Sequence, residues 1–217
     1  MKKAISIILC LILCVLFTGC KKDGSNADES KISNTDARTA LMKVLNNEAD
    51  FTYKCVVFGD VSTENLKDFH YNTEVNAAIH NHFSPAFYLF ADFNTDGVDE
   101  MLILDAKLSD YLVLRHDGTN TYGYIVQNIN AQDINKDGSF IRVFYRRDSD
   151  SKKSYAIKEI NTLSFEGENF KITTLAIMDE HADSYKINDK EVSKEKAQEY
   201  FDNWQKESEK LAFNEYQ

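Results

Sequence analysis

The fold is decided by residues 87–105, which read FYLFADFNTDGVDEMLILD. Two apolar runs, Phe87–Ala91 and Met101–Asp105, flank a segment of acidic, amide and glycine residues. Short apolar runs bounded by turn-forming residues are typical of buried strands. The stretch therefore predicts two strands joined by an Asp-rich loop.

The chain on the C-terminal side of this stretch repeats the pattern of short apolar runs separated by turns. Asp117-Gly118 fits a hairpin turn because these residues tolerate a positive φ. Ser193 is a good N-cap for a final helix, whose apolar stripe at helical spacing ends with Trp204. The predicted strands are Tyr111–Arg115, Tyr122–Val126, Phe140–Tyr145, Tyr155–Phe165, Phe170–Met178 and a small hairpin of Tyr185–Ile187 with Val192.

The sequence of the N-terminal part of the domain predicts more helix than the C-terminal part does. Apolar residues at helical spacing indicate a helix over Asp36–Asn47, capped by Thr35, and a short strand follows it. A second helix is expected around Thr73–His82, ending before Pro85. The expected fold class is α+β: an antiparallel β-sheet meander flanked by an N-terminal and a C-terminal helix, in a single domain over residues 34–217.

The loop between the first two strands carries a pattern of oxygen-bearing side chains at alternate positions. Such side chains converge on one hard cation as a loop curls, and Gly97 permits the sharp turn. Calcium is the expected ion, and the alternative is an Asx-type turn that links two strands without a metal. The candidate ligands are Asp92, Asn94, Asp96, the Val98 carbonyl and Glu100.

The strand-loop-strand form resembles the calcium loops of integrin-type FG-GAP (VCBS-like) repeats, whose pattern is D-x-[DN]-x-D-G-x-x-[DE]. It is still more similar to uncharacterised lipoproteins of low-GC Gram-positive bacteria, which carry Asp-hydrophobic-Asp-Gly-Asp-Gly-x-Pro-Glu-Leu. Here Asp99 replaces the proline and Met101 the leucine. The resemblance continues through Tyr122-Gly123-Tyr124 and Lys136–Phe140, and covers the chain from Phe87 to Tyr216. It implies a tethered extracytoplasmic domain and supplies no catalytic residues.

Two further segments contain groups that bind metals in other proteins. Asp133–Gly138 looks like a second copy of the loop, but Ile141 occupies the position of the closing carboxylate, which favours a plain turn. His70, His80 and His82 lie close together in the sequence. Three imidazoles can hold zinc, and the alternative is three ordinary surface histidines.

The first twenty residues have the parts of an export signal. Lys2 and Lys3 precede an apolar run over residues 4–17, and small residues then lead into Cys20. The ending Leu16–Cys20 resembles the lipobox of bacterial lipoproteins, in which the cysteine thiol carries a lipid. Residues 1–19 are therefore predicted to be a lipoprotein signal peptide, Cys20 the lipidated residue and residues 20–33 a flexible polar stalk. The alternative is an ordinary leader cut elsewhere, with Cys20 left as a thiol.

Charge and cysteine content narrow the function classes. Without residues 1–19 the chain has 23 basic and 35 acidic residues, a formal charge of −12. Nucleic-acid binding would require a cluster of basic residues, and the sequence shows none. Cys55 alternates with apolar neighbours and is expected to be a small buried hydrophobe rather than a nucleophile.

No catalytic motif stands out, so two function hypotheses remain. The first is a calcium-stabilised, non-enzymatic module, tethered to the extracytoplasmic face of a membrane, that binds a cell-wall component, a glycan or a protein. The alternative is a tethered hydrolase whose acid and base are acidic residues brought together by the fold. A deep pocket holding two carboxylates would favour the hydrolase.

Overall fold

The fold was taken from a computed structural model, which describes residues 32–55, 59–73, 76–107, 110–127, 129–148, 152–166, 169–207 and 209–216. The predicted signal peptide, Cys20 and nearly all of the predicted stalk lie outside these residues. Ile32–Gln217 forms one compact unit. No helix among the described residues is long and apolar enough to cross a membrane.

The described elements are mainly strands, with one helix near each end of the domain. A 3-10 turn at Leu66–Asp68 lies between the second and third strands. In chain order the elements are α1 Asn34–Leu45, β1 Phe51–Lys54, β2 Val61–Glu64, β3 His70–Thr73, β4 Asn76–His82, β5 Pro85–Ala91, β6 Glu100–Asp105, β7 Tyr111–His116, β8 Thr121–Val126, β9 Ile129–Ile134, β10 Phe140–Arg147, β11 Ser154–Glu166, β12 Asn169–Asp179, β13 Ser184–Ile187, β14 Lys190–Glu191, α2 Lys194–Glu207 and β15 Asn214–Glu215.

The strands form two main sheets and one separate hairpin. Sheet 1 has the order β15-β5-β6-β7-β8-β1-β2, and sheet 2 has the order β14-β13-β12-β11-β10-β9. Every described pair of neighbours is antiparallel except β1 and β8, which run parallel. Strands β3 and β4 pair only with each other. The predicted α+β class, with a mostly antiparallel meander and a helix from each end, is confirmed.

Side chains that alternate along the strands arrange these elements in four layers. On β6, Met101 and Ile103 face α1, whereas Leu102 faces sheet 2. The outer face of sheet 2 packs against Ala197 and Phe201 of α2. Full burial of one such large side chain is worth about 1.5–3 kcal/mol. The order of layers is therefore α1, sheet 1, sheet 2, α2.

The N-terminal half differs from the sequence prediction in two ways. The cap of α1 is Ser33, not Thr35, and its hydroxyl accepts the Asp36 N–H at 3.1 Å. The helix predicted around Thr73–His82 is wrong, because residues 76–82 form β4. The strand is favoured there because its partner β3 contributes a buried side chain, Tyr71, to the core under α1.

Cys55 directly follows β1 and is a free, buried thiol within the same core. The prediction of a small buried hydrophobe is thereby confirmed. Burial raises the pKa of its neighbour Tyr53, and the proximity of Cys55 raises it further.

Candidate metal centre

The Asp-rich loop connects β5 and β6 at one end of sheet 1. The two strands close on the pair Ala91 and Glu100, which are opposite each other in the register. Glu100 shares its strand face with Leu102, so its side chain points between the two sheets, where it is 0 % exposed. The loop therefore surrounds the Glu100 carboxylate, which has no contact with solvent.

The predicted ligand side chains are brought together by a network of hydrogen bonds. The Asp92 carboxylate accepts the N–H groups of Asp96 at 3.0 Å and Gly97 at 2.8 Å. The Asn94 Oδ1 also accepts the Asp96 N–H, at 3.0 Å, and Asp96 Oδ1 accepts the Val98 N–H at 2.8 Å. A carboxylate has about four acceptor positions, so the two bonds to the Asp92 carboxylate leave oxygen lone pairs for a cation.

Two residues of the loop adopt the left-handed conformation that allows the chain to curl. Gly97 has φ +89°, as its role in the turn predicts, and Thr95 has φ +60°. For a β-branched residue such as threonine this conformation is strained. The surrounding Asx-type hydrogen bonds hold it in place.

Glu100 has the most perturbed carboxyl group of the loop. Its pKa is raised from 4.5 to about 8, mainly by burial, and the charges of Asp96 and Asp92 act in the same direction. The Phe93 N–H, which donates to Oε2 at 3.0 Å, and the Arg115 guanidinium act in the opposite direction. The loop thus holds more negative charge than its surroundings stabilise, and a positive charge placed there would favour ionised Glu100.

Arg115 is the principal cation beside this carboxylate, and sequence reasoning missed it. Its Nη2 nitrogen lies 3.4 Å from Asp96 Oδ2, and its Nε lies 3.7 Å from Glu100 Oε1. The guanidinium also covers the Phe165 ring of sheet 2 at 4.9 Å. The sequence did contain a signal for it. Arg115 is a basic residue near the end of the next apolar strand, and β6 and β7 pair as a simple hairpin, which brings that residue to the loop.

The donor set suits a hard cation such as calcium, which prefers carboxylate and amide oxygens. The Asn94 Nδ2 nitrogen donates to Asp96 Oδ2 at 2.8 Å and to Glu100 Oε1 at 3.4 Å, so a nitrogen lies between these two carboxylates. As the side chains stand, no three His, Cys, Asp or Glu residues in the described ranges are grouped to hold a metal. Rotation of the Asn94 amide would present its oxygen in place of the nitrogen.

Asp99, at the end of the loop, attaches α1 to it. Asp99 is mostly buried, and its carboxylate is paired with Arg38. Its N–H donates to Asn34 Oδ1 at 2.9 Å, and Asn34 Nδ2 donates back to the carboxylate at 3.2 Å. These contacts join residues more than 60 positions apart, so no local pattern could have predicted them.

The second Asp-rich segment forms the turn between β9 and β10. The Gly138 N–H donates to the Asn135 carbonyl at 3.0 Å, and Asp137 Oδ1 accepts the Ser139 N–H at 2.9 Å. The prediction of a turn is confirmed for Asn135–Gly138, whereas Asp133 and Ile134 belong to β9. Gly138 packs so closely on the first loop that an added Cβ would lie 2.9 Å from the Phe93 Cα and carbonyl oxygen. The two Asp-rich segments therefore meet, one from each sheet.

The three histidines do not surround one point through the atoms that the structure describes. His70 and His82 are opposite each other on β3 and β4, with ring centroids 4.9 Å apart. Their ring nitrogens bond to the backbone carbonyls of Asp68 at 2.8 Å and Lys67 at 3.1 Å. His80 pairs through its backbone with Asn72, and its side chain lies outside the described part.

A separate pair of buried carboxylates lies at the other end of β6. The Tyr71 hydroxyl is 2.9 Å from Asp110 Oδ2 and 3.3 Å from Asp105 Oδ2. Gln127 Nε2 also donates to Asp110, at 3.2 Å. Burial, followed by the charge of Asp110, raises the pKa of Tyr71. Neither carboxylate lines any of the five main cavities along the described residues.

Comparison with known proteins gives no relative for this arrangement. No family model, curated protein or solved structure matches the chain.

Proposed function

We propose that this chain is a membrane-tethered extracytoplasmic lipoprotein whose α+β domain is a non-enzymatic binding module stabilised by calcium. The tether is the lipid on Cys20, and the calcium ligands are in the Asp92–Glu100 loop. The observation that carries the calcium assignment is the Glu100 carboxylate, which is fully buried and whose pKa is raised to about 8.

A divalent cation would resolve the electrostatics of this loop. Asp92, Asp96 and Glu100 bring three acidic groups together, and Arg115 brings one compensating charge. Calcium would lower the pKa of Glu100 into the ordinary acidic range, because a nearby positive charge favours the ionised form. The oxygen ligands and the exposed side of the loop at Gly97 fit an extracellular site with a Kd of about 10⁻⁴–10⁻³ M.

The hydrolase alternative needs two carboxylates that a substrate can reach. Asp105 and Asp110 lie together, but both are buried and both are engaged by the Tyr71 hydroxyl. Glu100 also lines none of the five main cavities of the described chain. These placements favour a structural role for the buried acids and a binding role for the surface.

The calcium proposal is tested by calorimetric titration of residues 21–217, which contain the whole compact unit. We expect one saturable site in the wild type and no site in Glu100→Ala. Glu199→Ala, on the exposed face of α2, is the matched control and should bind like the wild type. Asp96→Ala should lower the melting temperature in calcium but not in chelator. Equal titrations of wild type and Glu100→Ala would exclude calcium from this loop.

The tether is tested separately on the full-length chain in a Gram-positive host. We expect radiolabelled palmitate to be incorporated into the wild type, and the protein to fractionate with membranes. Cys20→Ala should lose the label and leave the membrane fraction, whereas Cys55→Ala should retain both. Label that persists in Cys20→Ala would contradict the proposed lipidation site.

A further inference from the structure

One exposed end of sheet 2 has a charge opposite to that of the rest of the chain. Residues 145–153, where β10 turns into β11, contain four basic and two acidic side chains in a chain of formal charge −10. We define the basic tip as Tyr145, Arg146, Arg147, Lys152 and Lys153. The four basic side chains are exposed, and Tyr145 is 77 % exposed, the highest value among the large hydrophobic residues described.

The tip projects away from the core. Burial falls steadily along β10, from buried Phe140 to exposed Arg147. The Asp148 N–H donates to the Lys153 carbonyl at 2.9 Å and closes the hairpin. No described acidic side chain forms an ion pair with Arg146, Arg147 or Lys152. These three side chains are exposed to solvent.

Both faces of the hairpin carry the same combination of groups. Arg146 is opposite Tyr155 in the register, whereas Tyr145 and Arg147 point to the other face. Lys153 Nζ lies 4.9 Å from the Tyr155 ring centroid. A flat membrane meets one face of such a hairpin, but a flexible polymer can wrap around both. Arginine binds phosphate oxygens in a bidentate manner, and tyrosine adds a hydrogen-bond donor.

The position of the tip within the domain also favours a polymer. The chain enters the domain at Ile32, beside the β7–β8 turn, and Asn34 contacts the Asp-rich loop. The β9–β10 turn lies at that same end, since Gly138 touches Phe93. Strand β10 then runs away from it for eight residues, roughly 23 Å at 3.3 Å per residue. The basic tip is thus at the end opposite the site of attachment.

We infer that the basic tip binds an anionic polymer with repeating phosphate groups that lies outside the membrane. The inference names a ligand class for the proposed binding module, and its choice of a polymer over a membrane rests partly on the proposed tether. Acidic residues limit the basic surface on one side, because Glu159 and Asp179 line a 340 Å³ groove that Tyr145 and Arg146 of the tip also line. Binding is expected to be salt-dependent, because a polyanion releases counterions when a basic surface binds it.

The test uses long-chain inorganic polyphosphate and residues 21–217 in chelator at about 50 mM salt, the range in which such contacts are strong. The tip variant changes Arg146, Arg147, Lys152 and Lys153 to Gln. The matched control changes four exposed lysines elsewhere to Gln, namely Lys67, Lys171, Lys190 and Lys196, and has the same net charge. We expect the tip variant to bind at least about tenfold more weakly and the control to change less than about threefold. Unchanged melting temperatures verify folding, and Arg146→Gln with Arg147→Gln is the milder second variant.

Three results would overturn the inference. Equal weakening in the tip and control variants would show that net charge alone is responsible. If the wild type does not bind polyphosphate, the proposed class of ligand is excluded. Tip-dependent binding to vesicles of anionic phospholipid, without binding to polyphosphate, would make the tip a membrane contact. Failure of the calcium or Cys20 experiments leaves these outcomes unchanged, because neither calcium nor the lipid is present in the assay.

Discussion

Replacing Glu100 by Gln should change the way in which the stability of the domain depends on pH. In the folded state the pKa of Glu100 is about 8, against 4.5 for an ordinary glutamate. Between these values the unfolded chain has lost its proton and the folded chain has kept it. The free energy of unfolding therefore falls as the pH rises. The slope is roughly 1.4 kcal/mol per pH unit, or on the order of 5 kcal/mol across the whole interval.

The assay is urea unfolding of residues 21–217 at pH values from 5 to 8, in the presence of chelator. Other groups also titrate in this range, so the informative quantity is the difference in slope between the wild type and Glu100→Gln. The glutamine side chain does not ionise, so in that variant the component of about 1.4 kcal/mol per pH unit should be absent. Glu199→Gln is the control and should retain the wild-type slope. Parallel curves for the wild type and Glu100→Gln would refute the reasoning.

Calcium should reduce the same pH dependence by a different route. Ions at about ten times the Kd stabilise the folded state by roughly 1.4 kcal/mol, and calcium binding requires ionised Glu100. Wild-type stability in calcium should therefore rise with pH relative to chelator, and the titration should release a proton near pH 7. The released proton is measured by repeating the calorimetry in buffers of different ionisation enthalpy. A binding heat independent of the buffer would contradict proton release from Glu100.

Three further substitutions test other parts of the structure. Gly138→Ala should destabilise the domain by about 2 kcal/mol or more in urea unfolding, because the new Cβ meets the Phe93 backbone at 2.9 Å and φ is +76°. Gly123→Ala should cost a similar amount, about 1–3 kcal/mol, since its Cβ would lie 2.5 Å from the Phe51 ring. Arg115→Gln should raise the pKa of Glu100, so the decline in stability measured in chelator should continue to a higher pH than in the wild type with the same limiting slope; a decline that ends at the wild-type pH would count against the proximity of the two groups.

Strand periodicity predicts most of the C-terminal architecture because each strand there is amphipathic or flanked by clear turns. The β5–β6 hairpin, the β7–β8 hairpin and helix α2 all lie where local patterns place them. The layering of two sheets and the parallel pairing of β1 with β8 depend on contacts distant in sequence. Local periodicity has no access to such contacts.

The failed helix at residues 73–82 shows where local preference was overruled. The pattern that indicates a strand lies just before this segment, where Phe69 and Tyr71 alternate with polar residues. Both side chains pack into the core beneath α1, and Phe83 closes the other end of the hairpin. Tertiary packing of these rings therefore decides the conformation of the intervening chain.

Some features of the candidate site also follow from the local sequence, and others depend on contacts distant in sequence. Asp92, Asn94 and Asp96 converge because a short loop brings alternate positions together, and this was predictable. The burial of Glu100, which perturbs its pKa, depends on sheet 2 and was not. Arg115 belongs to the neighbouring strand β7, and its proximity to Glu100 depends on the register between β6 and β7.

The loop lies where three layers of the domain meet, and this location determines what an ion there could do. Asp99 connects it to α1 through Arg38 and Asn34. The Gly138 turn connects it to sheet 2 through backbone contact with Phe93. A cation at this point would stabilise the packing of the layers, while the basic tip lies roughly 23 Å away along β10. We therefore expect calcium to govern the stability of the domain, and the exposed hairpin to govern what it binds.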